Sequence, residues 1–236
     1  MFAWKYVAEY FPIIIGKFPV TLELVIVPFI ASFLLGFAIA IARLKKVPGL
    51  EQLLALYVSY VRCTPVITQM FIVYFGLPIL LANFGINANK WNPVIFVFIA
   101  YSINISAFLS ETIRSSILAV PAGQMEAGYA VGMTSFQTMR GIIVPQALKI
   151  SLPMLGNLFI ALFQATALAY MVGVIDMIGK AKNLSTSKGH LLEGYICCAI
   201  VFAIISLSLE VIFRFVNKRL EFGQKNEYVG KRRARA

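Results

Sequence analysis

The apolar positions of this chain fall in long, nearly unbroken runs instead of alternating or recurring on one helical stripe. That pattern predicts helices with apolar surroundings on every side. Five runs, 20–42, 53–81, 93–118, 152–175 and 191–215, reach the length of about 20 residues that a bilayer crossing requires. The second run is longer than a crossing needs and is interrupted by Arg62, Cys63, Thr64 and Pro65. Pro65 has no amide hydrogen to donate and disfavours helix at the residue before it, so a tilted or broken helix is predicted there. Residues 1–19 mix Trp4, Tyr6, Tyr10 and Phe11 with Lys5, Glu9 and Lys17, as expected of an interfacial segment at headgroup level. The stretch between the third and fourth runs is too polar for lipid. His190 is expected to be a solvated residue of the last outer loop.

Composition agrees with this pattern: 60% of residues are hydrophobic and 13% charged, with a mean hydropathy of +0.83. A soluble globule could not cover so much apolar surface. The net charge of +11 raises the question of nucleic acid. However, the basic residues sit at the ends of the runs and form no groove-like patch. The loop 43–50, the segment 111–151 and the chain from Arg214 onward hold 14 Lys and Arg, against six on the other side. The positive-inside rule then places the N-terminus outside and the C-terminus in the cytoplasm. The expected architecture is an all-α integral membrane protein of five transmembrane helices. It comprises an interfacial segment at 1–19, a transmembrane domain at 20–218 and a basic cytoplasmic tail at 219–236 that anchors to anionic lipid headgroups.

Candidate chemistry is sparse. Cys63, Cys197 and Cys198 form no metal-ligand spacing, and one His is too few for a catalytic cluster, so neither a metal site nor an enzyme is expected. Glu9 and Pro12 interrupt the apolar core a signal peptide would need. No Gly-x-x-x-x-Gly-Lys-Ser/Thr pattern occurs to cradle ATP phosphates, so any ATP chemistry belongs to a separate protein.

The segment 122–145 carries the most specific signal. It contains Gly123, Gln124, Glu126, Ala127 and Gly128, then Gly132, and later Ile142, Val144 and Pro145. Pro121 and Gly123 break the preceding helix, and Gln124 to Met133 can form a short helix with Glu126 in its first turn. Gly128 and Gly132, four apart, would share a stripe open to close approach. This spacing resembles the cytoplasmic loop signature of bacterial ABC importer permeases, with Gly128 in place of the second Ala and Val144 in place of Leu. The run Arg62-Cys63-Thr64-Pro65-Val66-Ile67-Thr68-Gln69 is similar to the Arg-Gly-Thr-Pro-Leu-x-x-Gln segment of polar amino acid permeases. The stretch 101–117 resembles their Tyr-x-x-Glu-x-x-Arg-x-x-Ile pattern, shifted in detail. Where that family often shows Lys-Asp-Thr-Ser-Leu, this chain has Gln164-Ala165-Thr166-Ala167-Leu168, which removes a potential ion pair.

The resemblance implies the permease subunit of an ATP-driven importer for a polar amino acid, of the type I class and cystine-like, multi-pass in the bacterial inner (cytoplasmic) membrane. It implies a coupling helix in the 122–145 loop that docks on an ABC ATPase subunit, where ATP and Mg bind. A second permease chain, identical or related, and an extracellular solute-binding protein complete the expected assembly. The alternative is an ion-gradient-driven secondary transporter, which predicts buried paired carboxylates or an inverted repeat; neither is evident. Polar groups inside the runs are the substrate-pathway candidates. Arg62 and Thr64 either line a broken-helix site or hold the break together. Gln69 lies on the pathway or makes an interhelical hydrogen bond. The same choice stands for Gln164 and Thr166, between contacting a zwitterion and bridging helices. Glu23 and Glu210 lie near run ends, where solvation or an ion pair is expected.

Overall fold

The computed structural model describes residues 2–233, with side chains described through Arg219. Among these residues the chain is helical throughout. The elements are α1 (Trp4–Ile15), α2 (Phe18–Leu44), α3 (Leu50–Cys63), α4 (Val66–Ala82), α5 (Pro93–Leu118), α6 (Gly123–Ala130), α7 (Ser135–Val172), α8 (Met177–Lys188) and α9 (Leu191–Arg233). Four of them, α2, α5, α7 and the part of α9 at Leu191–Arg219, are each long and apolar enough to cross a membrane. The pair α3 and α4 adds a fifth crossing if taken as one span, and it is bent by 110° at Pro65. The backbone of the basic tail continues α9 to Arg233; residues 234–236 lie outside the described residues.

Local chemistry sets the helix ends. Asn92 accepts the Val94 amide at 3.0 Å and Pro93 occupies the first turn, where its missing N–H costs nothing. Thr134 and Gln137 form a reciprocal capping box at the start of α7. Gly173, at φ 89°, ends α7 in the left-handed region that L side chains avoid. Two stretches depart from the 3.6-residue period: π turns at Ile72–Gly76 and Met139–Ile143 widen α4 and the base of α7.

Helix α5 is the centre of the bundle, burying Phe96, Val97, Ala100, Tyr101, Ile105 and Leu109. Helix α2 reaches it through small residues, as lipid-embedded helices do when van der Waals contact replaces the hydrophobic drive. A Cβ on Gly36 would lie 2.9 Å from both Leu109 Cβ and Ser106 O, so only glycine admits this approach. Nearby, Ser32 donates its hydroxyl to Ser102 O at 3.1 Å.

Three sequence expectations change. The fourth helix is longer than the run at 152–175, because α7 starts at Ser135 and carries the polar segment before the run as helix into the bundle. Residues 177–188, expected as outer loop, form α8. His190 is not a solvated loop residue: its ring stacks on Tyr6 at 3.7 Å and its Nδ1 lies 3.0 Å from Glu193 Oε1. Glu193 also accepts the Ala3 amide at 3.1 Å, and Lys188 pairs with Glu9, so α1 is strapped onto α8 and α9 with Tyr10 and Ile14 fully buried. The contacts that α1 makes with α8 and α9 join residues more than 170 apart in sequence, so a reading of the loop alone gives no sign of them.

Candidate functional site

The break between α3 and α4 leaves the last carbonyls of α3 without helical partners. Gln69 supplies the missing donor. Its Nε2 reaches Val61 O at 2.8 Å, Thr64 O at 3.2 Å and Thr64 Oγ1 at 2.6 Å. Its Oε1 accepts Asn104 Nδ2 of α5 at 3.1 Å. Thr64 in turn donates to Tyr60 O at 2.9 Å. Gln69 is buried, and these hydrogen bonds tie the break together and fix it to α5.

Arg62 is placed differently. It is exposed on the last turn of α3, with its guanidinium 5.7 Å from the Phe108 ring centre. It opens onto a cavity of about 340 Å³ between α3, α5 and α7, together with Glu111, Thr112, Ser115, Asn157 and Ala161. A second cavity of about 240 Å³ adjoins it, sharing Phe108, Leu158 and Ala161 and lined further on by Val66, Tyr101, Asn104 and Ala165. Tyr101 donates its hydroxyl to Ala165 O at 2.6 Å, tying α5 to the end of α7.

Sequence reasoning passed over the ion network at the edge of the first cavity. Glu111 Oε2 accepts Arg43 Nη1 at 2.7 Å, and Oε1 accepts Arg114 Nη2 at 2.5 Å. One carboxylate thus joins the end of α2 to α5. The available signal was the Glu111-x-x-Arg114 spacing, which puts both groups on one helical face. Asn157 carried no such signal.

Gln164 lies exposed on α7 with Nε2 3.5 Å from Ser206 Oγ of α9. Thr166 is fully buried and donates back to Phe163 O at 2.7 Å, so its hydroxyl meets neither cavity. Asp176, unremarked in the sequence, is fully buried: Oδ1 accepts the Gly179 amide at 2.8 Å while Oδ2 has no hydrogen-bond partner among the described residues. Burial pushes its carboxyl up to about 6, against the lowering effect of the Gly179 and Ile178 amides. Glu23 is exposed, and Glu210 pairs with Arg214 one turn on. Among the described residues, no group of three His, Cys, Asp or Glu side chains could hold a metal ion.

The short helix expected in the 122–145 segment is α6, with Glu126 in its first turn. Met125 faces inward onto Val120, Ile143 and Ala147, whereas Gln124, Glu126, Ala127 and Tyr129 are exposed. Gly132 does not extend the stripe of Gly128. It follows the helix end at φ 81°, where a left-handed residue stops α6. The space beside Gly128 is filled from within the chain by Thr138.

A family model described as a binding-protein-dependent transport system inner membrane component matches residues 20–222. The chain belongs to this family. As such a component it is a permease subunit of an ATP-driven importer and a multi-pass protein of the bacterial inner membrane, and the ion-gradient alternative is discarded. The component is 34% identical over 223 residues to the L-cystine transport system permease protein TcyL of Bacillus subtilis, covering 94% of this chain and 93% of the relative. It is 36% identical over 220 residues to the L-cystine transport system permease protein TcyB of Bacillus subtilis, covering 92% and 91%. A crystal structure of an amino acid ABC transporter with histidines superposes with a TM-score of 0.83 at 29% identity, covering 93% of this chain and 99% of that one. The inward-facing MetNI methionine ABC transporter superposes with a TM-score of 0.65 at 17% identity, covering 85% and 92%, and shows the shared fold.

Proposed function

We propose that this permease subunit forms, with a second copy or a related chain, the inner-membrane path of a polar amino acid delivered by an extracellular solute-binding protein. The relatives named for L-cystine support a substrate of that size and polarity. The N-terminus lies outside and the C-terminus in the cytoplasm, on the charge asymmetry of the loops. The cytoplasmic helix α6 is the coupling element, seated in an ABC ATPase subunit where ATP and Mg²⁺ bind. Its residues Gly123, Gln124, Glu126, Ala127, Gly128 and Gly132 belong to that lever. Closure of two ATPase subunits pulls the paired levers together and rocks the bundle between outward-open and inward-open forms.

One observation carries the reading: α6 is fixed to its own chain on one face and bare on the other. Met125 and Gly128 anchor it to α7, while Gln124, Glu126 and Ala127 remain exposed beside the large apolar side chains of Val131 and Phe136, 75% and 72% exposed. A rigid lever with an uncovered apolar flank suits a protein partner better than solvent. The pathway candidates divide accordingly. Arg62 opens onto the cavity, and Thr64 and Gln69 hold the α3–α4 break beside it. Gln164 and Thr166 stay pathway candidates, and where they sit in this structure, on α7 facing α9 and in the core, gives them no contact with it.

The test is reconstitution with the ATPase and binding protein in proteoliposomes. Glu126→Lys is expected to lower uptake of a polar amino acid while the ATPase still hydrolyses ATP. Normal uptake by that variant would remove α6 from the coupling path.

A further inference from the structure

An ionisable side chain about 18 Å along a membrane helix, as Arg62 is from Leu50, is costly unless it serves water, protein or a ligand. Among the described residues Arg62 has no carboxylate within ion-pair distance. The acidic group that shares its cavity, Glu111, has one oxygen committed to Arg43 and the other to Arg114. Glu111 is thus already neutralised by two guanidiniums that do not line the cavity, and Arg62 is the charge in the lining that has no ion-pair partner among the described residues. At about 340 Å³ the space falls at the low end of small-ligand pockets, about 300–1,000 Å³.

We infer that Arg62 receives the α-carboxylate of the transported amino acid, and that the side chain passes Phe108 into the adjoining cavity, which admits groups of no net charge and disfavours those of net positive charge. This rests on the proposed amino acid import and names the class of substrate within it: a net-neutral zwitterion. Arg62 offers a planar pair of donors matched to a carboxylate, and Asn157 adds an amide on the α7 side. The adjoining cavity is walled by Val66, Tyr101, Asn104 and Ala165, and none of its lining residues is acidic. Asn104 Nδ2 and the Tyr101 hydroxyl already donate to Gln69 and Ala165, which leaves Asn104 Oδ1 and Tyr101 Oη as neutral acceptors; with no carboxylate in the lining, these are not enough to repay the desolvation of a guanidinium or ammonium side chain.

The experiment uses the complete complex of this permease and its ATPase. Equilibrium binding is measured without binding protein for L-glutamine, L-cystine, L-arginine and the α-amide of glutamine, and uptake is measured with binding protein in proteoliposomes. Wild type is expected to bind and carry a neutral amino acid, with the α-amide and L-arginine each weaker by about tenfold or more. Arg62→Gln is expected to erase the preference for the free carboxylate, and Arg62→Lys to keep part of it. Asn157→Asp, nearly the same shape but with a fixed anion beside Arg62, is expected to weaken carboxylate binding as well. Two assembled variants that keep the wild-type preference would overturn the inference, as would L-arginine binding as tightly as L-glutamine. Loss of pairing between permease chains in Arg62→Gln with ligand preference intact would also overturn it, in favour of a subunit contact. Should wild type carry no amino acid at all, the proposed import itself fails, a result separable from every variant.

Discussion

Gly128 and Thr138 meet so closely that the space a glycine lacks is the space the threonine fills: a Cβ on Gly128 would lie 2.5 Å from Thr138 Cγ2 and 2.6 Å from Oγ1. This contact seats α6 on the first turn of α7, where the Thr134–Gln137 capping box fixes the helix start. Overpacking of this kind costs about 1–3 kcal/mol, concentrated at the lever's own anchor. Gly128→Ala is expected to reduce substrate moved per ATP hydrolysed by about fivefold or more. Adding Thr138→Ala, which clears the same space, is expected to restore most of it, as a coupled pair should. Uptake and hydrolysis measured in the same proteoliposomes decide the matter; an unchanged ratio in the single variant would discard the anchor.

The helix break depends on one amide. Gln69→Leu removes both amide N–H donors, which Val61 O and the two Thr64 oxygens share, and strands Asn104 Nδ2. With net values near 1 kcal/mol per bond and a larger penalty for an orphaned buried donor, a loss of about 2–4 kcal/mol is expected. Thr64→Val should cost about 1 kcal/mol, because the backbone acceptors survive. Thermal unfolding in detergent ranks the two, and equal midpoints would refute the assignment.

Glu111→Gln leaves Arg43 and Arg114 facing each other without the carboxylate between them. All three side chains are less than a third exposed, so solvent screens this repulsion only in part. The expected loss is about 1–3 kcal/mol, larger at low salt than at high. Arg43→Gln combined with Glu111→Gln should recover some of it, and a salt-independent effect of the single variant would argue against an ionic cause.

Asp176 gives a signed pH dependence. Burial raises its carboxyl from 3.8 to about 6, so the folded chain holds this proton more tightly than the unfolded one. Stability from this group is therefore full below pH ~4, falls as pH rises toward 6, and levels off above, by about 3 kcal/mol at most. Asp176→Asn can still accept the Gly179 amide but carries no charge. It is expected to match wild type at pH 4 and to exceed it at pH 7. Unfolding midpoints across this range check the claim; parallel curves for the two proteins would show that Asp176 does not titrate in the window.

Much of the architecture was legible in the residues alone, because it follows from local partition and local sterics. Runs of apolar side chains long enough for a bilayer placed the spans, and Pro65 marked the break that became the 110° bend between α3 and α4. Pro121 and Gly123 announced α6 to within three residues of its observed end. These are effects of neighbours in sequence, decided before any two helices meet.

What only the tertiary structure decided is which way each helix turns. A segment that is apolar all round has no polar face to mark its outside, so its composition cannot say which residues meet a neighbour. That is why Gln69 gave no sign of Asn104 on the helix opposite it, and why nothing beside His190 in sequence pointed to Tyr6. It is also why Arg62 and Asn157, 95 residues apart, could be recognised as walls of one cavity only after α3 and α7 had packed on α5. Length and hydropathy select the solvent, whereas the azimuth of each helix is set by close contacts between distant residues, and in this protein the azimuth is what builds the site.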